Sequence, residues 1–396
     1  MMIAGVAERA TESEQRVTPL ELFFDLVFVL SFTQVTAAIA EDPTWQGLGE
    51  GLLILAAVWW AWAAYGWLTN AIDPNQNLNR LAMFGAMAAM LVVSLAIPET
   101  FGDLGLLFGA AYFTVRALHL LLYVRNTRRE GDEDNLGAIL KLAPGLLLGS
   151  ALLVVAGALD GGARTSLWII ALLVDWSTPL LFGTAEFNLK PGHFAERHGL
   201  IVIIALGESI VAIGAGAGFE LETGEVIAAV LAIAAVASLW WAYFDVVAIV
   251  AERRLTEAEP GEQAPLARDS YSYFHFPMIA GIVLLAVGLK KTELAVDDPL
   301  KTVPAVALCG GVALYLLAHI AFRFRNVGTL NPHRALATIA VLALIPLALE
   351  VDALYAVAAV TGLLVALIAY EAIRFREARE RVRSNPSGTL AEMRGR

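Results

Sequence analysis

The chain is 396 residues long, 58% apolar and only 16% charged, with a formal charge of −11. A soluble domain carries about 25% charged residues and interrupts its helices with polar positions every third or fourth residue. Here the apolar residues run unbroken for roughly 18–25 positions, the length that crosses about 30 Å of hydrocarbon, which excludes a soluble acidic protein; the single cysteine, Cys309, excludes an intrachain disulfide and a multi-cysteine metal site.

In chain order, the polar stretch 1–18 lacks the basic-then-apolar pattern of a cleavable signal, so the first helix is expected to be retained and to direct its own insertion. A first half over 19–184 holds six predicted spans, at about 19–40, 50–70, 80–98, 104–125, 138–159 and 165–184. A linker over 185–197 leads to a second half over 198–375, with spans at about 198–218, 226–249, 270–289, 302–324, 334–350 and 353–375. Merging the last two across Glu350-Val351-Asp352 would give eleven. The tail, 376–396, mixes Arg and Glu at helical spacing before Ser384-Asn385-Pro386 and reads as a short solvated helix near anionic lipid, then disorder. The expected fold is therefore an all-α polytopic membrane protein of about twelve transmembrane helices.

Charge placement gives the orientation. With the N-terminus in the cytoplasm, the inside segments collect Arg9, Arg16, Arg80, Arg125, Arg128, Arg129, Lys141, Lys190, Arg197, Arg253, Arg254, Arg268, Arg323, Arg325, Arg334 and the tail arginines. The outside loops hold only Arg164, Lys290, Lys291 and Lys301, while Glu41, Glu99, Glu220, Glu225 and Asp297 fall outside. Both termini are expected inside. Arginine outnumbers lysine, as in GC-rich bacterial genomes.

Two matches suggest an internal repeat. His119 precedes Arg125-Asn126 in the fourth span at the spacing by which His319 precedes Arg325-Asn326 in the tenth. Trp59-Trp60-Ala61 with Tyr65 in the second span corresponds to Trp240-Trp241-Ala242 with Tyr243 in the eighth. Six helices per half make the repeat parallel, with a pseudo-two-fold axis along the membrane normal.

Ionisable residues inside spans cost about 2.5–3.5 kcal/mol each on insertion scales and usually face protein or water. They are Glu21 and Asp25 in the first span, Arg116 and His119 in the fourth, Asp175 in the sixth, Glu208 in the seventh, Asp245 in the eighth, His275 in the ninth and His319 in the tenth. Glu21 and Asp25, four apart on one face, could form a structural salt bridge to an arginine such as Arg116 or Arg80. Glu208 sits mid-helix beside a small-residue face of Gly207, Gly214 and Gly218 that would allow close helix approach. The two histidines read equally as proton relays and as interhelical hydrogen-bonding residues. The tryptophan pairs read as interfacial belts or packing.

The chain has no P-loop, no His-Glu-x-x-His, no Gly-x-Ser-x-Gly and no Rossmann glycine pattern. Neither a bound cofactor nor a metal is expected, and nothing points to nucleic acid. Thr18-Pro19-Leu20-Glu21-Leu22-Phe23-Phe24-Asp25-Leu26-Val27-Phe28-Val29, followed by Thr33-Gln34, resembles the opening signature of the bacterial low temperature requirement A (LtrA) family. Glu196-Arg197-His198-Gly199-Leu200 through Ala205-Leu206-Gly207-Glu208-Ser209-Ile210 resembles its second. The resemblance covers nearly the whole chain and implies a multi-pass protein of the bacterial cytoplasmic (inner) membrane, tied by name to growth in the cold; it supplies no mechanism. A fainter resemblance is to two-repeat, six-helix-per-repeat potassium channels, whose first helix carries a Phe-x-Asp motif; Phe24-Asp25 lacks its serine.

These observations favour a transporter or channel for a cation, proton or small solute. Glu208 and Asp25 would be the ion sites, and His119 and His319 their partners. A membrane enzyme acting on lipid, or a non-catalytic scaffold or sensor, is the alternative. The expected partners are the lipid bilayer and a cation or small solute, and a homo-oligomer is compatible with the sequence.

Overall fold

A computed structural model describes residues 16–216, 222–293, 296–385 and 388–393. The polar stretch before Arg16, with Arg9, lies outside the described residues, as do Gly218, Glu220, Pro386, Arg394 and Arg396. The described chain is helical throughout, apart from loops and one isolated bridge between Pro299 and Asp352. In order the helices are α1 (Pro19–Glu41), α2 (Trp45–Ala71), α3 (Asn77–Ala96), α4 (Gly105–Glu130), α5 (Glu133–Gly157), α6 (Gly161–Phe182), α7 (Pro191–Gly216) and α8 (Thr223–Phe244). They continue as α9 (Val247–Thr256), α10 (Pro260–Ala267), α11 (His275–Glu293), α12 (Thr302–Val327), α13 (Pro332–Leu342), α14 (Ile345–Ala348), α15 (Ala353–Arg374), α16 (Arg376–Ser384) and α17 (Leu390–Met393).

Local chemistry sets many of the boundaries. Thr18 and Glu21 start α1 with a capping box: the Thr18 N–H donates to Glu21 Oε2 at 2.9 Å and the Glu21 N–H to Thr18 Oγ1 at 3.4 Å. Glu222 and Glu225 open α8 in the same reciprocal way. Asp132 caps α5 through the Asn135 N–H, and Asn331 caps α13, with Pro332 where its missing N–H costs nothing. Gly131 and Gly328 end α4 and α12 in the left-handed conformation, at φ of +71° and +70°.

Among the described residues ten segments are long and apolar enough to cross a membrane. Large apolar side chains such as Leu181 and Ile373, 75% and 79% exposed, stand out from them. Such a surface is untenable in water and suits lipid; the protein is a helical multi-pass membrane protein. Twelve spans were expected, and ten of them meet such a segment. The span placed at 198–218 is helical in α7 up to Gly216, and its last two residues lie outside the described residues. The span placed at 334–350 is broken: α13 stops at Leu342 and α14 starts at Ile345, just before Pro346, so Pro332–Ala348 is a short apolar segment. A turn separates α14 from α15, so these two do not merge.

The chain divides into two compact units, the first Met1–Ser31, Ala57–Ile201 and Ala258–Arg268, the second Phe32–Ala56, Val202–Glu257 and Asp269–Arg396. In the first, α3 packs on α4, α4 on α5 and α5 on α6. In the second, α11 packs on α12, α12 on α13, and α8 on α15. Close helix approach does occur at glycines, but not at those expected. A Cβ at Gly207 or Gly214 would meet no described atom within 4 Å, whereas one at Gly157 would collide with the backbone of Gly105.

The tail also departs from expectation. Within α16, Arg379 and Val382 are 9% and 5% exposed, and Arg379 Nε donates to Asp245 Oδ2 at 2.6 Å. A partly desolvated ion pair ties one face of this helix to α8, while most of its other residues are exposed. The tryptophan pairs differ from each other: Trp59 and Trp60 are buried, while Trp240 and Trp241 are 43% and 39% exposed.

Candidate functional site

The most concentrated buried charge in the first unit is built around Arg197, near the start of α7. Pro191 at the first helical position lets α7 begin ahead of Arg197, so the guanidinium lies inside the helix and not in the linker where the charge pattern placed it. Its side chain is fully buried. Nη1 lies 2.8 Å from Glu21 Oε1 and donates to Thr69 Oγ1 at 2.7 Å, and Nη2 lies 2.7 Å from Asp25 Oδ1. Glu21 and Asp25, one turn apart on α1, thus clasp a single cation. The arginine expected to pair with them, Arg116 or Arg80, does not: Arg116 pairs elsewhere and Arg80 bonds the Asn75 carbonyl.

The surrounding side chains fix this cluster. The Trp62 indole N–H donates to Asp25 Oδ1 at 2.9 Å. The guanidinium carbon lies 5.8 Å from the Trp62 ring centroid and 5.9 Å from that of Phe24, within cation–π range. Asn70 is oriented by the Lys190 backbone, whose N–H it accepts and whose carbonyl it donates to, so its amide NH2 faces His193 Nδ1 at 3.2 Å. His193 Nδ1 is therefore an acceptor, and Nε2 carries the proton that it donates to Glu21 Oε2 at 3.2 Å. A neutral His193 leaves two carboxylates against one guanidinium, an excess negative charge with no solvent contact. Asp25 Oδ2 and Arg197 Nε have no hydrogen-bond partner among the described residues.

A second ion pair in the same unit is balanced one to one. Arg116 Nη2 on α4 meets Asp175 Oδ1 on α6 at 2.8 Å, and the Trp60 indole N–H donates to the same oxygen at 3.1 Å. Gly149 of α5 leaves room for it, since a Cβ there would lie 2.7 Å from that of Asp175. His119 packs between Tyr65 and Tyr123, ring centroids 5.6 and 6.0 Å away.

In the second unit, Glu208 is 2% exposed, with Thr33 Oγ1 donating to Oε2 at 2.5 Å. No cation reaches ion-pair distance among the described residues. His319 accepts from Arg334 Nη1 at 2.9 Å, and Arg334 makes a two-pronged pair with Glu371, 2.9 Å to each oxygen. Arg379 and Arg383 share Asp245. His275 lies between the Ser270 carbonyl, 3.0 Å from Nδ1, and the Tyr243 hydroxyl, 2.8 Å from Nε2. The carbonyl can only accept, so Nδ1 bears the proton and Nε2 accepts from the tyrosine; His275 is a neutral structural link. Among the described residues no three His, Cys, Asp or Glu side chains gather to hold a metal ion.

Of the expected residues, Glu21 and Asp25 meet through Arg197, and Arg116 and Asp175 meet directly. Asp245, His275 and His319 each find a local partner. Sequence reasoning missed Arg197, His193 and Trp62 in the first unit, and Arg334, Glu371 and Arg379 in the second.

The sequence profile of the bacterial low temperature requirement A protein family matches residues 16–369, spanning both of the segments that build the Arg197 cluster. An uncharacterized protein of Rhizobium meliloti (strain 1021) is 31% identical over 309 residues, 75% of this chain and 74% of its own length. No solved structure matches the chain.

Proposed function

The chain belongs to the bacterial low temperature requirement A (LtrA) family, and from that premise we propose that it is a transporter or channel for a cation, a proton or a small solute. The observation that carries this reading is Glu208, a carboxylate 2% exposed inside the apolar helix α7, bonded by a threonine hydroxyl and with no cation at ion-pair distance among the described residues. An intramembrane carboxylate costs insertion energy and is retained where it binds or passes charge. Glu21 and Asp25, two carboxylates on one buried guanidinium, add support, since their surplus negative charge suits a proton or cation.

A parallel duplication accompanies the proposal. Helices α4 and α12 are both 26 residues long, end at left-handed glycines and carry Asn126 and Asn326, each donating to the carbonyl four residues back at 2.8 Å. On this reading both termini lie in the cytoplasm of a bacterium and the chain sits in its inner membrane.

Flux into proteoliposomes under K⁺, Na⁺ and H⁺ gradients tests the reading, with wild type beside Glu208→Gln. Wild type is expected to carry flux under at least one gradient. The variant is expected to fall to the level of empty liposomes while keeping wild-type yield and a monodisperse profile. Undiminished flux in the variant would remove Glu208 from the mechanism, and a silent wild type under every gradient would remove cations and protons as cargo.

A further inference from the structure

Within the second unit, α8, α12, α13, α15 and α16 enclose a cavity of about 300 Å³. Its charged lining is Arg323, Arg334, Arg379 and Glu371, three guanidiniums against one carboxylate. Glu371 pairs with Arg334 and lies 3.6 Å from Arg379 Nη1, and Arg379 is held also by Asp245, which it shares with Arg383. Arg323 is exposed, and among the described residues its side chain bonds through Nε to Thr329 Oγ1 at 3.1 Å, which leaves both Nη groups open to a ligand. Arg334 is a like charge in the same lining, and an anion in the cavity would offset the two.

His319 adds an independent observation. It lines the same cavity, is 1% exposed, and its Nδ1 must accept because the Arg334 group facing it can only donate. Nε2 therefore carries the hydrogen in the neutral ring, and this donor has no partner among the described residues. Buried donors are almost always paired, so an unpaired N–H on a residue that lines a guanidinium-rich cavity points to an acceptor there. A neighbouring cavity of about 510 Å³ shares Arg323, Val246 and Val247 with the first, and Val250, Phe322 and Leu390 make it largely apolar.

From these groups we infer that the cavity beside His319 and Arg323 binds a phosphate-bearing anion. Arg323 supplies free guanidinium N–H groups, His319 a neutral N–H donor and Arg334 a fixed positive charge, the set that suits phosphate oxygens. The phosphate can come from an anionic phospholipid, with its chains toward the apolar neighbour, or from a free phosphate compound; basic pockets among membrane helices take lipid headgroups in this way. The inference does not depend on transport or on Glu208.

The test uses the full-length purified protein in a neutral detergent at constant ionic strength. Thermal unfolding is followed against inorganic phosphate, with chloride as control, and against phosphatidylcholine vesicles with and without phosphatidylglycerol. A saturable rise in Tm with inorganic phosphate assigns a free phosphate compound; a rise only with phosphatidylglycerol assigns a lipid headgroup. Arg323→Gln is expected to raise the half-saturating concentration roughly tenfold, the loss of one charge-assisted contact, and Arg323→Lys to recover part of it. Ala378→Phe fills the cavity from α16 without altering a charge, and is expected to abolish the rise. No stabilisation by either probe overturns the inference, as does a stabilisation that both Arg323→Gln and Ala378→Phe leave unchanged.

Discussion

Arg197→Leu is expected to destabilise the folded protein by about 3–5 kcal/mol, the cost of removing one partner from a buried ion pair. The size follows from what stays behind. Glu21 and Asp25 have no solvent contact, and their carboxylates would face each other with only Thr69 nearby changed from acceptor to spectator. His193 can still donate to Glu21 and Trp62 to Asp25, but neutral donors do not replace a full positive charge. Unfolding in detergent measures the loss. The rescue is diagnostic: Arg197→Leu combined with Glu21→Gln and Asp25→Asn is expected to regain most of the stability, because replacing a whole buried ionic group by neutral residues is often nearly neutral. A triple variant no more stable than Arg197→Leu would mean that the arginine acts by filling space. A single variant as stable as wild type would mean that it does not hold the cluster at all.

This cluster also shows where sequence reasoning ends. That Glu21 and Asp25 need a cation follows from their spacing on an apolar helix; which cation does not. Arg197 lies 172 residues from Asp25, and nothing in the charge pattern separates an arginine one turn into a helix from one in a loop. The legible clue was Pro191, which permits a helix start ahead of Arg197. The pairing of Arg116 with Asp175 and of Arg334 with Glu371 was hidden for the same reason, since each joins helices distant in sequence. Most spans were legible because hydrocarbon imposes a minimum apolar length on a helix. The break at Pro346 was the exception: apolar residues on both sides of the turn keep the run intact even though the helix stops. In Arg-Glu mixtures such as 376–384, solvation and ion pairing look alike until Asp245 is placed beside Arg379.

Glycine spacing misled in a different way, and it yields the second large effect. Gly311→Ala is expected to destabilise the protein by on the order of 3 kcal/mol, at the upper end of overpacking costs. A Cβ at Gly311 would lie 2.7 Å from both the Gly281 carbonyl oxygen and the Leu285 nitrogen, and one at Gly281 would lie 2.6 Å from the Gly311 oxygen. Both sides of the contact are backbone, so neither can swing away and α11 and α12 must separate. Gly310 supplies the control from the adjacent position on α12, because a Cβ there would meet only the Val306 side chain, at an ordinary 3.7 Å. Gly310→Ala is therefore expected to be neutral or to stabilise by up to about 1 kcal/mol through helix propensity and the lost freedom of the unfolded chain. Opposite signs at two neighbouring glycines, read as shifts in unfolding temperature, separate helix contact from intrinsic backbone preference. A shared sign would show that α11 and α12 are not pressed together at Gly281 and Gly311.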